Sequence, residues 1–532
     1  MSDEPWAGRM TEYTWIFVIA IIFSFIGAFG IGANDVANAF ATSVGAKSIT
    51  VKQAVVIATI FEFSGAFFMG SHVSKTIRKG ICDIDLFTDS EQDAEILMFG
   101  MMCVTFSVAF WLLLATYFSL PVSTTHTCVG SVMGIAIAAK GWDAVDWDKV
   151  SLIIVSWFAS PILSGIFAVA LYMFIRNVIM MSEDPQGRTI MFYPVLTAFC
   201  VIIVIFYTIY KGTPQLGLKS TGLGVASGVA FGGGAFMALA TYGFVVPWLR
   251  QKLADFEPEN VEQEDDEQKR TIGGNAFSVD DDDDDAGVEM TENQKVAATV
   301  EVKGGFSDTN KELEETDKSV EEVSKFSTQR VMDAVVVDVE KRFQDQATDQ
   351  VLEMLANAEA HDAHAELAFS YLQVFSACFD AFAHGANDVA NSVGPMAAVY
   401  AIWDTGIVEK KVDMPLWILG MGGVGIVAGL CLYGYNIMQA IGFELTKLSP
   451  SRGFSIELGA ALVVLTGSRL EIPLSTTHCQ VGATVGVGLT EGVGNVNWWL
   501  FARVAAGWIV TLLIASLMSA AVFSYAVYSP KA

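Results

Sequence analysis

The sequence predicts an all-α polytopic membrane protein, with about twelve apolar segments in two inverted-topology repeats that contain broken or re-entrant helices. Three observations predict it. The residues AVILMFWYC make up 53% of the 532 residues and charged residues only 17%, a balance too apolar for an ordinary soluble protein. Apolar runs recur along the chain at lengths near the roughly 20 residues that cross a hydrocarbon core. Two short polar motifs each occur twice, in the same order and at nearly the same spacing.

Taken in order, the acidic start Met1-Ser2-Asp3-Glu4-Pro5 lacks the basic region of a signal peptide, so the first apolar run reads as a retained membrane segment. Apolar runs fall at about 14–40, 50–70, 95–118, 121–139, 150–177, 190–211 and 217–248, then at 368–400, 413–442, 454–469, 473–491 and 497–527. Little more than a Pro-containing break separates 95–118 from 121–139 and 454–469 from 473–491, so each pair is two crossings or one re-entrant hairpin. The glycines at 222, 224, 228 and 232–234 suit close helix packing. The seven cysteines show no C-x-x-C pair and read as small buried hydrophobes.

The predicted organisation is an N-terminal membrane repeat with additional helices over 1–250, an acidic hydrophilic loop over 251–366 and a C-terminal membrane repeat over 367–532. The loop holds 33 of the 58 acidic residues and 11 of the 31 basic ones, so it carries most of the net charge of -27. Its aspartate run, Asp280 to Asp285, and scarcity of aromatics predict a largely disordered spacer. Apolar residues from Val331 to Leu355 allow one amphipathic helix within it. Lys and Arg are spread over all the loops, so charge bias does not set orientation. Nothing resembles a nucleic-acid footprint.

Self-comparison carries the chemistry. Gly32-Ala33-Asn34-Asp35-Val36-Ala37-Asn38 recurs identically from Gly385 to Asn391, and Pro121-Val122-Ser123-Thr124-Thr125-His126 recurs as Pro473-Leu474-Ser475-Thr476-Thr477-His478. Asp35 precedes Ser123 by 88 positions and Asp388 precedes Ser475 by 87. An odd number of apolar segments separates the copies, so the second enters the membrane from the opposite side. Inverted repeats that meet at broken helices are the architecture of secondary transporters.

An Asn and an Asp inside an apolar segment need a compensating cation or polar partner. Asp35 and Asp388 therefore read as anionic cation ligands, with Asn34, Asn38, Asn387 and Asn391 as neutral oxygen ligands, of which Asn34 and Asn387 also reach the anion. A Pro followed by three hydroxyl residues reads as a helix start whose unpaired N–H groups attract anions. Ser123, Thr124, Thr125, Ser475, Thr476 and Thr477 thus form a donor-rich cradle for a tetrahedral oxyanion, with His126 and His478 orienting the turns or donating. Glu62, Glu457, His384 and Gln439 also stand in apolar runs. The two glutamates either couple a cation or proton to transport or pair structurally with Lys75, Arg452 or Arg469. No nucleotide loop, Cys/His metal spacing or catalytic signature is present, so neither an enzyme nor an ATP-driven pump is expected, and no cofactor.

These paired motifs around a long hydrophilic loop resemble the inorganic phosphate transporter (PiT) family, the type III sodium-dependent phosphate cotransporters. The likeness covers both halves and extends to Ala58 through Gly65, Val73 through Gly80, Phe382-Ala383-His384-Gly385 and Gly453 through Leu458. It implies a secondary active symporter for inorganic phosphate, with sodium as co-substrate and with Asp35, Asp388, Ser123, Ser475, Glu62 and Glu457 linked to transport. It also implies a plasma-membrane location with the loop cytoplasmic. A proton-coupled phosphate or sulfate carrier and a nontransporting phosphate sensor stay open, as do a homo-oligomer and a regulatory partner for the loop.

Overall fold

A computed structural model describes residues 8–71, 73–74, 81–210, 221–256, 354, 358–408, 414–434, 437–438, 442 and 444–529, leaving out the side chains of residues 37 and 38. These residues belong to one compact unit, made of Met1–Phe256 and Asp338–Ala532. The segment expected to form an amphipathic helix lies outside the described residues, apart from Met354. Among the described residues the secondary structure is helical, with two isolated bridges and no strand.

The helices are α1 Thr14–Asn34, α2 Val36–Gly45, α3 Val51–Met69, α4 Glu91–Tyr117, α5 Thr124–Lys140, α6 Trp147–Phe174, α7 Pro185–Ile209, α8 Leu223–Ala240, α9 Val246–Ala254, α10 Ala363–Thr405, α11 Leu416–Tyr433, α12 Pro450–Arg469, α13 Thr476–Leu489 and α14 Trp498–Tyr528. Among the described residues each of the twelve apolar runs contains a helix. Among the described residues eight stretches are long and apolar enough to cross a membrane; α5, α10, α12 and α13 fall outside that group. At about 1.5 Å per residue, α13 spans about 21 Å, short of the ~30 Å core.

Local chemistry sets the ends. Ser123 and Ser475 cap α5 and α13, accepting the backbone N–H of His126 at 3.2 Å and of His478 at 3.3 Å. Before each start the chain turns through a residue with positive φ, Ser119 at 52° and Glu471 at 60°, two positions ahead of Pro121 and Pro473. The two hairpins therefore reverse by the same device. Only the first G-A-N-D-V-A-N interrupts its helix, at Asp35 between α1 and α2, whereas α10 runs unbroken through Asp388 and Pro395. The Asn387 and Asp388 side chains find partners in Leu474, Ser468, Thr476 and Asn391 without drawing on the α10 backbone.

The halves interlock. Within each half, α1 packs on α4 and α10 on α12; across them, α1 packs on α11 and α10 on α3, while α5 packs on α14 and α13 on α6. The first glycine of each motif makes its crossing possible. A Cβ on Gly32 would collide with the Ile426 carbonyl of α11, and one on Gly385 with the Glu62 carbonyl of α3. Side chains on the motif helices next to these glycines are thereby held at the contact between halves.

Candidate functional site

The two repeated motifs meet in the core. The Thr124 hydroxyl donates to Asp35 Oδ2 at 2.8 Å and lies 3.5 Å from Asp388 Oδ1. The Thr476 hydroxyl donates to Asp388 Oδ2 at 2.5 Å and lies 3.3 Å from Asp35 Oδ2. Thr477 donates to Asp35 Oδ1 at 2.5 Å. Each helix start thus serves both carboxylates, and both carboxylates are buried.

His384, one turn before Asp388 on α10, spans to α3. Its Nδ1 is 2.5 Å from Glu62 Oε1, and its Nε2 is 2.9 Å from Asp388 Oδ2 but out of line for a hydrogen bond. Asp35, His384 and Asp388 each offer an atom within 4.8 Å of the others, a spacing compatible with one shared cation. Among the described residues no Lys or Arg pairs with Asp388 or Glu62, which share His384 between them. Two carboxylates this close in a low-dielectric core repel unless positive charge joins them. Glu62 Oε2 and Asn391 Oδ1 are buried acceptors without a donor, which suits oxygen ligation of a hard cation.

The remaining predicted residues divide by role. Asn391 donates to Asp388 Oδ1 and Thr124 Oγ1 at 3.1 Å and to Thr125 at 3.3 Å. Asn34 brackets Pro121: it donates to Thr116 Oγ1 at 3.1 Å and the Leu120 carbonyl at 2.9 Å, and accepts the Val122 N–H at 3.0 Å. Asn387 holds the Leu474 carbonyl at 2.8 Å. In this arrangement both amides are occupied with holding the helix starts. Thr125 also donates to the Leu474 carbonyl, at 2.9 Å. The Ser123 and Ser475 hydroxyls accept at their caps and keep their protons for donation. Asn38 and Gln439 fall outside the described side chains.

His126 and His478 form a crossed pair. Each Nδ1 donates to a carbonyl of the other half, Trp508 at 3.0 Å and Trp157 at 2.8 Å, and each ring lies 3.7 Å from a Trp ring. A carbonyl only accepts, so Nδ1 carries the proton; both histidines line an apolar cavity of about 1120 Å³. Glu457 pairs with neither Arg452 nor Arg469. It accepts from Thr42 at 2.7 Å, Ser43 and Ser376 at 2.5 Å and Gln373 at 3.0 Å. Arg452 binds Glu491, and Arg469 donates to the Thr208 carbonyl.

Sequence reasoning missed Asp380, Gln373, Ser376 and Gln480. The signal for the first was present, since 380, 384 and 388 recur every fourth residue on one face of α10.

Buried carboxylates converging with hydroxyl-bearing helix starts, inside a bundle of long apolar helices, define a membrane transport protein. A model of the phosphate transporter family matches residues 31–519. The chain is 31% identical to the phosphate-repressible phosphate permease pho-4 of Neurospora crassa over 98% of both chains. It is 30% identical to sodium-dependent phosphate transporter 2 of Felis catus, over 97% of this chain and 98% of that one. A solved structure titled the sodium-dependent phosphate transporter is 29% identical, with a TM-score of 0.70 over 97% of this chain and all of that one. The chain belongs to the phosphate transporter family.

Proposed function

We propose that the chain is a secondary active symporter that carries inorganic phosphate across a membrane with sodium, by alternating access to the site between its halves. Family membership and the relatives' names support the cargo and the ion. The observation that carries the mechanism is the pair Asp35 and Asp388, one from each repeat, sharing the hydroxyls of Thr124 and Thr476. A phosphate anion is repelled there until cations neutralise the carboxylates. Sodium bound at Asp35, Asp388 and Asn391 therefore precedes phosphate, and Asn38 joins that set. The anion then takes the Ser123, Thr124, Thr125, Ser475, Thr476 and Thr477 hydroxyls and the N–H groups of the helix starts. Asn34 and Asn387 fix those starts in place. Glu62, His384, Glu457 and Gln439 couple ion entry to the movement of the halves, and no chemical bond is made or broken.

One observation favours proton coupling as a second reading. His384, wedged between Glu62 and Asp388, is a natural proton holder. Equilibrium binding of radiolabelled phosphate to purified protein, in sodium or in choline across pH 5.5 to 8, separates the two. The sodium reading predicts saturable binding only with sodium. Equal binding in choline that strengthens at low pH would support the proton reading instead. We further place the protein in the plasma membrane with residues 251–366 on the cytoplasmic side, as the family resemblance implies.

A further inference from the structure

Asp380 is a buried carboxylate in the middle of α10, with no hydrogen-bond or ion-pair partner among the described residues. It faces a cavity of about 10 Å³, the space of one water-sized sphere, lined also by His384, Thr476, Gln480 and three apolar residues. Gln480, 2% exposed, has its Nε2 buried without an acceptor. An unpaired carboxylate and an unpaired amide therefore open on one small void in the apolar core. Leaving a carboxylate so placed is costly unless a cation joins it.

The cavity sits on a continuous polar seam. Gln373, Ser376, Asp380, His384 and Asp388 follow one another at helical spacing along one face of α10, and all are buried. Glu457 is gripped at the first two positions and the central carboxylate stands at the last. The seam is about 22 Å long at 1.5 Å per residue and starts about 15 Å in from the end of α10 that follows the acidic segment. Thr476 lies between the two sites, since the hydroxyl it gives to Asp388 belongs to a residue that also lines the cavity.

We propose that Asp380, Gln480 and Thr476 form a separate station for one partly dehydrated monovalent cation, between that end of α10 and the Asp35–Asp388 centre. The Asp380 carboxylate supplies the charge and the Thr476 hydroxyl a neutral oxygen. The Gln480 amide, fixed by no protein partner, turns its oxygen inward. The station deepens the sodium-coupled reading and rests on it.

The test measures sodium activation of phosphate uptake, and ²²Na⁺ bound at equilibrium, for the full-length protein and for Asp380→Asn and Gln480→Leu. Asparagine has the shape of a protonated aspartic acid, so the variant also examines whether Asp380 is merely neutral. The expected result is a rise of about tenfold or more in half-activating sodium for Asp380→Asn, a shallower activation curve and fewer ions bound. Gln480→Leu shifts the curve the same way by less. A wild-type curve and ion count in Asp380→Asn would overturn the station while leaving symport intact. If Asp380→Asn does not fold, an unshifted curve in folded Gln480→Leu overturns it. Absence of sodium activation in the wild type would overturn both readings together.

Discussion

Asn34 reads as a ligand in the sequence, and in the fold its side chain is taken up by the turn before α5. Its three hydrogen bonds bracket Pro121 and fix the start of α5. Asn34→Ala leaves a buried carbonyl and N–H unpaired, at a cost of about 1–3 kcal/mol each before relaxation. We predict a phosphate KM raised several-fold with half-activating sodium changed less, read from uptake at fixed saturating levels of the other ion. An equal rise in both would mean that Asn34 ligates the cation. The motif residues that meet at the centre were legible in the sequence because a carboxylate in an apolar run demands a partner. Which partner each amide takes was not legible, since Leu120, Val122 and Leu474 come to Asn34 and Asn387 only through the fold. Asp380 was legible by the same rule as Asp388 but lacked a repeat to draw attention to it.

At the scale of elements, the helix crossings depend on glycine. Gly385→Ala drives a methyl into the α3 backbone at Glu62, where no flexible side chain can give way. Overpacking of this kind costs about 1–3 kcal/mol or more, so a lower melting temperature is expected in detergent, with loss of transport. A variant as stable and active as wild type would mean that α3 and α10 separate without penalty. The strap after the acidic segment makes a different prediction. Arg176 binds Glu359 through Nε at 2.6 Å and NH2 at 3.1 Å, and the Glu359 N–H donates to Glu491 Oε2 at 3.1 Å. The Arg176 guanidinium holds the Glu359 carboxyl below the usual carboxylate range. A lowered carboxylate stabilises the fold above its unfolded value of 4.5, and this is lost as pH falls through the folded value. Protection of the Glu359 amide against hydrogen exchange should therefore hold from pH 7 to 5, after correction for intrinsic rates. Arg176→Ala should lower it about two- to fivefold, as suits a partly exposed pair. Loosening between pH 7 and 5.5 would assign control to His361 instead. The α-helices were legible from run lengths. The single break at Asp35 was not, because both motif copies have the same sequence and only their neighbours differ.

For the whole molecule, the exchange of partners between halves is the property that matters. α1 with α11 and α10 with α3, α5 with α14 and α13 with α6, repeat one set of contacts in two places. The alternating access proposed above would use these two sets of contacts in turn. The duplicated motifs make two related halves readable in the amino-acid sequence, whereas the division, among the described residues, into eight long spans and four other helices depends on the packing itself. The most direct test is uptake of radiolabelled phosphate into proteoliposomes, driven by an inward gradient of sodium or of protons, with excess sulfate as competitor, for wild type and Asp388→Asn. Sodium-driven, sulfate-insensitive uptake that the substitution lowers at least about a hundredfold, ~2.7 kcal/mol, is the predicted result. Uptake driven equally by protons without sodium, or unchanged in Asp388→Asn, would contradict it.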